Sequence, residues 1–598
     1  MPTLPCRGVF AHFGDAPPIC RILNKKDCPE TEMTVISSFD MVFSAFFNRL
    51  RTFPRTSARI GIALVAICMV SGGFAQDEEK ESESEGDALV EQFLIPLRWT
   101  GGDGVWTNPE NWNQGKVPES IAKRLVEVRV PAEITFDRSD QRLLGGLKLG
   151  SLQGPVVLDL AGHELILRGG EFSLGLGEQG GKLRRGGIAF EGAVSWKVGC
   201  DKESTSASQF VLEDVLLKTG GLEKLVVAET GSNRRSGSTL DLSKARVENG
   251  LFAVGAEIVV GRYLYPEYNR SIVNTGKLIL PGNLQILRCK DLVVGRNGRY
   301  WGEKKVASAT GLVEFSSELP VALEVRSLLG LGMGDNASGR IMRIPPKSSL
   351  QVGSVESPGF VRIGVRDREQ GHDLGNPAEG EMLMENATIR IVASEMRVGH
   401  NLYAGGSADG KLLFQAGSQT EIDCVGKSGP LVFLKRNFER VVISDVEDLL
   451  ARPILHPGAL IVGWGIGAVG ELELGSGNLR VGSAYVGSRH AGSAGVIRAE
   501  NTKITVREKL AIGASGRMNL SGTASLAIEA LEAEALSIEG GAKLAFSRES
   551  PGTLLTWQGN HETFLKQCLE RKAIEVNTSV GSAVVSSEGG FTRLDVVP

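Results

Sequence analysis

The stretch Val365 to Glu379, VRDREQGHDLGNPAE, gathers the side chains best suited to proton transfer: His372 adjoins Asp373, with Asp367 and Glu369 just upstream. An imidazole beside carboxylates can serve as acid and base. So polar a run is more simply a solvated loop, and nothing in the spacing makes His400 or His490 a partner. A second group is aromatic. Tyr263, Tyr265, Tyr268, Tyr300, Trp301 and Tyr403 fall in inserts between paired glycines, as does Trp464, with Arg262, Arg270, Arg299, Lys304 and Lys305 nearby. Flat rings stack on sugars and cations bind acidic groups, so these six rings are the candidate ligand-binding residues. The alternative is that they pack against the body and pin long loops. A third group, Trp99, Trp106 and Trp112, reads as an N-terminal cap in preference to a sugar site.

Motifs of other chemistries are missing. There is no GxSxG, HExxH, P-loop, dinucleotide fingerprint, EF-hand or calcium nonapeptide. Downstream of residue 75 the cysteines are Cys200, Cys289, Cys424 and Cys568, with no CxxC and no nearby histidine pattern. That spacing argues against zinc and for buried free thiols. No catalytic residue, metal or cofactor is expected. A net charge of −4 and a pI near 6.1 leave no basic footprint for nucleic acid.

The elements that must position the inserts repeat. From Ile258 to Leu520 a short apolar run ends in a glycine, an insert follows, and a second glycine opens an alternating strand. The first glycines are Gly261, Gly295, Gly332, Gly364, Gly399, Gly426, Gly463, Gly487 and Gly513, separated by 34, 37, 32, 35, 27, 37, 24 and 26 residues. The answering strands are GKLIL (276–280), GLVEF (311–315), GRIMRI (339–344), GEMLM (380–384), GKLLF (410–414), GPLVF (429–433), GELEL (470–474), GVIRA (495–499) and GRMNL (516–520). Alternation puts one set of side chains on an apolar face that a single copy cannot bury, so copies must stack. The shortest are too short for a propeller blade of about 40 residues, and strands near five residues are too short for a membrane barrel. The pattern predicts an all-β parallel β-helix, or solenoid, of about 25–37-residue coils with a small C-terminal capping module.

Around that body the chain divides by composition. Residues 1–75 are a lead and a secretory signal over about 42–75, with Arg49, Arg51, Arg55 and Arg59 before the apolar run Ile60 to Val70, and Gly73 and Ala75 at the cleavage positions. Met41 (or Met33) reads as the start. Removing the signal leaves no stable membrane span. Residues 76–97 begin with the acidic, serine-rich QDEEKESESEG of a disordered spacer. Residues 98–257 hold the tryptophan cap and less regular coils, and 258–547 the regular repeats, with EALEAEAL (529–536) the one run there that also suits a helix. Residues 548–598 form the cap, helical around Phe564, Leu565, Cys568 and Leu569 and ending in a strand pair that covers an open sheet edge.

Residues 99–118 read W-x-G-G-x-G-x-W-x-x-x-x-N-W-x-x-G-x-x-P. This resembles the opening motif of large secreted bacterial β-solenoid proteins of the autotransporter-associated β-strand repeat type, and the V-G…G-x-L-x-F copies are similar to their bodies. The resemblance implies secretion and a β-solenoid, and little about activity, since most such proteins have none assigned. The chain departs from that pattern at its end, where no barrel, dockerin or membrane-sorting tail is legible. The expectation is an exported structural or adhesive protein, secreted or at the cell surface, without catalysis and in contact with extracellular polysaccharide or cell-surface components. The alternatives are a carbohydrate-active β-helix enzyme, a polysaccharide lyase or hydrolase, and a non-catalytic glycan-binding protein.

Overall fold

A computed structural model describes residues 95–598 except 140, 176–179, 201–206, 231–235, 265–271, 298–306, 367–376, 402–405, 416, 427–430, 435–439 and 444–457. The chain divides into two units, Met1–Ser84, which holds no described residue, and Glu85–Pro598. The second unit is a parallel β-helix.

Its coil follows from the alternation. Ala307–Glu314 lies in register between Ile272–Ile279 and Ala337–Met342, so each apolar residue stands on the equivalent residue of the coil below. The ladder Leu278, Val313, Ile341, Met382, Leu412, Leu472, Ile497, Met518, Leu544 and Ile574 runs up this wall on successive coils, every member buried. A facing wall carries Val260, Val294, Leu331, Ile363, Val398, Val462, Val486, Ile512 and Ile538 in the same way. A third wall joins it at a bend: Ile286–Asn297 pairs with Ala322–Met333 throughout, but the register shifts between Cys289 and Asp291, and the strand turns there. Several strands are therefore longer than the expected five residues, because one strand serves two walls. In the earlier coils the bend falls in other long strands, such as Ala207–Lys218 with Asp214 at φ 54°.

Where a strand leaves the second wall, the first glycines stack. Gly261, Gly295, Gly332, Gly364, Gly399, Gly463 and Gly487 all have φ between 57° and 68°, a left-handed conformation that costs other residues roughly 1–2 kcal/mol. Space is equally limiting. A Cβ on Gly295 would fall on the backbone of Ser338 and Gly339 in the next coil, and one on Gly311 on Val260 and Gly295. First and second glycines thus interleave into a seam along one corner.

One copy does not fit. After Gln419–Cys424 the chain leaves the stack, Leu431–Leu434 pairs antiparallel with Arg440–Ile443, and the coil resumes at Ala459–Trp464. Gly399 is followed in the column by Gly463, not Gly426, and Leu431–Leu434, the described part of the expected GPLVF rung, pairs in a separate two-stranded sheet rather than in the stack. A short apolar run such as Leu-Val-Phe is compatible with either, and only the pairing partner distinguishes them.

Both ends are closed by different devices. At the start, Trp99 and Trp112 meet edge to face at 5.2 Å, Trp106 and Trp112 at 4.9 Å, and Trp106 and Phe136 at 5.3 Å, all buried. The Trp112 indole N–H donates to the Trp106 carbonyl at 2.8 Å. At the other end the helix Glu562–Glu570 buries Leu565 and Cys568, and Phe591–Val597 pairs antiparallel with the last rung, Gly552–Gln558. EALEAEAL forms a short 3-10 turn over Ala533–Ala535 leading into the strand Leu536–Ile538: each copy must supply a rung, and the rung requirement overrides helix propensity.

Candidate functional site

The glycine corner is where the strands of the second wall end, at Tyr263, Asn297 and Asn401 among others. Of the six candidate aromatics, only Tyr263 is described. It ends the strand Glu257–Tyr263 and is 1% exposed, its ring against Ala309 of the next coil, turned into the wall. Tyr265, Tyr268, Tyr300, Trp301 and Tyr403 lie outside the described residues, as do Arg270, Arg299, Lys304, Lys305, His372, Asp373, Asp367 and Glu369. Arg262 is engaged within the body, bonded to Glu229 and, at 3.1 Å, to Glu257. Trp464 stands edge to face with Tyr485 at 5.4 Å. His400 is buried in the wall, and the His490 N–H is tied to the Ser488 hydroxyl at 3.3 Å.

What anchors the corner is a set of asparagines outside the glycine and aromatic pattern. Asn274 donates from its amide to the carbonyls of Ala228 at 2.7 Å and Arg262 at 2.8 Å. Asn297 donates to the Asp335 carbonyl at 2.7 Å, and Asn401 to the carbonyls of Gly406 at 3.0 Å and Ile466 at 2.6 Å. Each ties the root of an insert to backbone that would otherwise lose its partners on leaving the ladder. A sequence signal existed: Asn297 and Asn401 both stand two residues after a first glycine, in GRN and GHN.

The described outer surface is laced with ion pairs between coils. Glu213 receives Lys182 from one neighbouring coil and Lys244 from the other, the latter at 3.1 Å. Glu314 likewise receives Lys277 at 2.8 Å and Arg343. Lys543 meets Glu575 at 2.5 Å, and Arg498 meets Glu471. Asp159, almost wholly buried, is held by Arg184 at 2.9 Å and by Arg185. Burial would raise its pKa, but hydrogen bonds from Arg185, the Ala161 N–H and Arg184 outweigh that and keep the carboxyl below its usual range.

Asp409 is the contrary case. Partial burial comes first and the carboxylates of Glu379, Glu381 and Glu471 add to it, pushing its pKa up despite Lys411 nearby. The four described thiols are held protonated for a related reason. Burial pushes Cys200 and Cys424 up to about 12, and raises Cys289 and Cys568 as well. At neutral pH none of them supplies a thiolate, the form needed for nucleophilic or metal-binding work.

One groove of about 690 Å³ opens near the C-terminal end. Glu500, Ser521, Ser547 and Asn577 occupy successive rungs along it, and Gly522, Arg548, Glu549, Val576, Thr578 and Ser579 also line it. The Arg548 guanidinium donates to the carbonyls of Gly522 at 2.6 Å and Thr553 at 3.0 Å. Hydroxyls, an amide and carboxylates at rung spacing suit a ligand rich in hydroxyl groups. Among the described residues, no group of three or more His, Cys, Asp or Glu is placed to hold a metal ion, and no helix is long and apolar enough to cross a membrane.

The chain matches no protein-family model, no curated protein and no solved structure.

Proposed function

We propose that this chain is an exported structural or adhesive protein that works at the cell surface or outside the cell, without catalysis, against extracellular polysaccharide or cell-surface components. The observation that carries the reading is how its surface is used. Outward charges on the walls bridge one coil to the next, as Lys182, Glu213 and Lys244 do, so a parallel stack with a continuous apolar core is stapled on its outside too. Such a body transmits load along the stack. Export is supported by the arginine-flanked apolar run before Ala75 and by the tryptophan–glycine motif that resembles secreted bacterial solenoids. The test is to express the full chain in a bacterial host, fractionate the cells and sequence the N-terminus of the product. The expected product begins near Gln76 and is found outside the cytoplasm. An uncleaved cytoplasmic product overturns the reading.

The groove favours a second reading, in which the protein binds glycan. A glycan array and a polysaccharide-cleavage screen separate the two. Binding lost on Asn577→Ala with Glu500→Gln, without chain cleavage, supports a glycan-binding protein; release of shortened product supports an enzyme; and neither leaves the scaffold.

A further inference from the structure

The two ends of the stack treat their open edges differently. At the start, Leu97–Trp99 is covered from within the chain: the Arg98 N–H donates to the Asn113 side chain at 2.7 Å, the Thr100 N–H to the Asn111 carbonyl at 2.8 Å, and Trp99 bridges to Trp112. At the other end, Ser582–Glu588 pairs with Phe591–Val597 on one side, which in turn pairs with Gly552–Gln558. Among the described residues no strand pairs with its second side. All of its residues except Val585 are exposed, Val584 by 40%. Natural edges are blunted by lysine, proline or bulges. This strand, SAVVSSE, has no lysine, arginine or proline, its pairing runs without a register shift, and its one charge is Glu588 at the end.

We propose that this edge is a homotypic junction at which Ser582–Glu588 pairs antiparallel with the same strand of a second copy. A two-fold axis through Val585 sets Val584 opposite Ser586, Ala583 opposite Ser587 and Ser582 opposite Glu588, so no like charges meet directly. The same axis places Val585, already packed against the core, beside its own copy. The two hairpins then form one four-stranded antiparallel sheet, and the junction is isologous, so it closes at two copies instead of propagating. An unrelated extended peptide would fit the backbone as well but would lack this self-matching register.

The test is sedimentation of the full chain from roughly micromolar concentration upward, since modest interfaces reach about micromolar affinity. The native chain is expected to dimerise reversibly. Val584→Lys with Ser586→Lys places lysines directly opposite each other across the axis and should weaken the dimer at least tenfold; Val584→Glu with Ser586→Glu should do the same. Mixing the two variants should restore a heterodimer. Both positions are exposed, and an unchanged thermal melt confirms that folding is intact. A native chain that stays monomeric throughout, a lysine variant that dimerises like the native chain, or a mixture that fails to pair would each overturn the junction.

Discussion

Ala228 occupies the column of first glycines one coil below Gly261 and takes up the same left-handed conformation, φ 57°. Relieving that strain is worth roughly 1–2 kcal/mol, while the added freedom of the unfolded chain costs about 0.4–1 kcal/mol. Ala228→Gly should therefore stabilise the protein by up to about 1.5 kcal/mol, read as a higher denaturation midpoint with unchanged slope. Gly311→Ala should do the reverse, by ~1–3 kcal/mol, because its Cβ would meet backbone that cannot step aside. Asp409 gives a pH-dependent counterpart. With its folded pKa raised, its ionised form opposes folding once pH exceeds the unfolded value, and that penalty grows until pH passes the folded value. Asp409→Asn should raise the melting temperature at pH 7, with the gain vanishing at pH 3; a gain that persists at pH 3 would contradict the assignment. The glycine pairs were legible in the sequence because positive φ and close approach both select glycine. Ala228 was not, because an alanine tolerated under strain carries no such mark.

At the scale of elements, the tryptophan motif and the closing helix replace the neighbour that a terminal coil lacks. Trp106 is fully buried between Trp112 and Phe136. Trp106→Ala should cost ~3–5 kcal/mol if the coils unfold together, and limited proteolysis should then begin at the N-terminal end. Cleavage that still starts elsewhere would show that the cluster does not secure that end. The helix at Glu562–Glu570 falls where the spacing of Phe564, Leu565, Cys568 and Leu569 put it, since one apolar stripe facing a sheet end suffices to predict it. The hairpin inside the coil from Gly399 to Gly463 could not be told from a rung, because a strand's sequence states its alternation and not its partner.

Among the described residues of the Glu85–Pro598 unit, the parallel ladders join each coil to the coil before and the coil after, with a few longer ion pairs such as Arg507–Asp423 reaching two coils away, so stability is close to a sum of coil and junction contributions. Hydrogen exchange should be slowest for the central ladder around Ile363, Met382 and Val398 and faster toward both ends. Uniform protection from Val126 to Ile574 would instead indicate a single cooperative block. The sequence by itself determined that the chain repeats, that its copies are parallel β coils, and which residues face the core, because period-two alternation and glycine-bounded strands are local properties. Only the tertiary structure decided which glycines share a column, that Arg262 is tied to Glu229 and Glu257, that Tyr263 faces the wall, and that Glu500, Ser521, Ser547 and Asn577 line one groove. Those relations join residues a full coil apart through inserts of unequal length, and register across such inserts is set by packing in three dimensions.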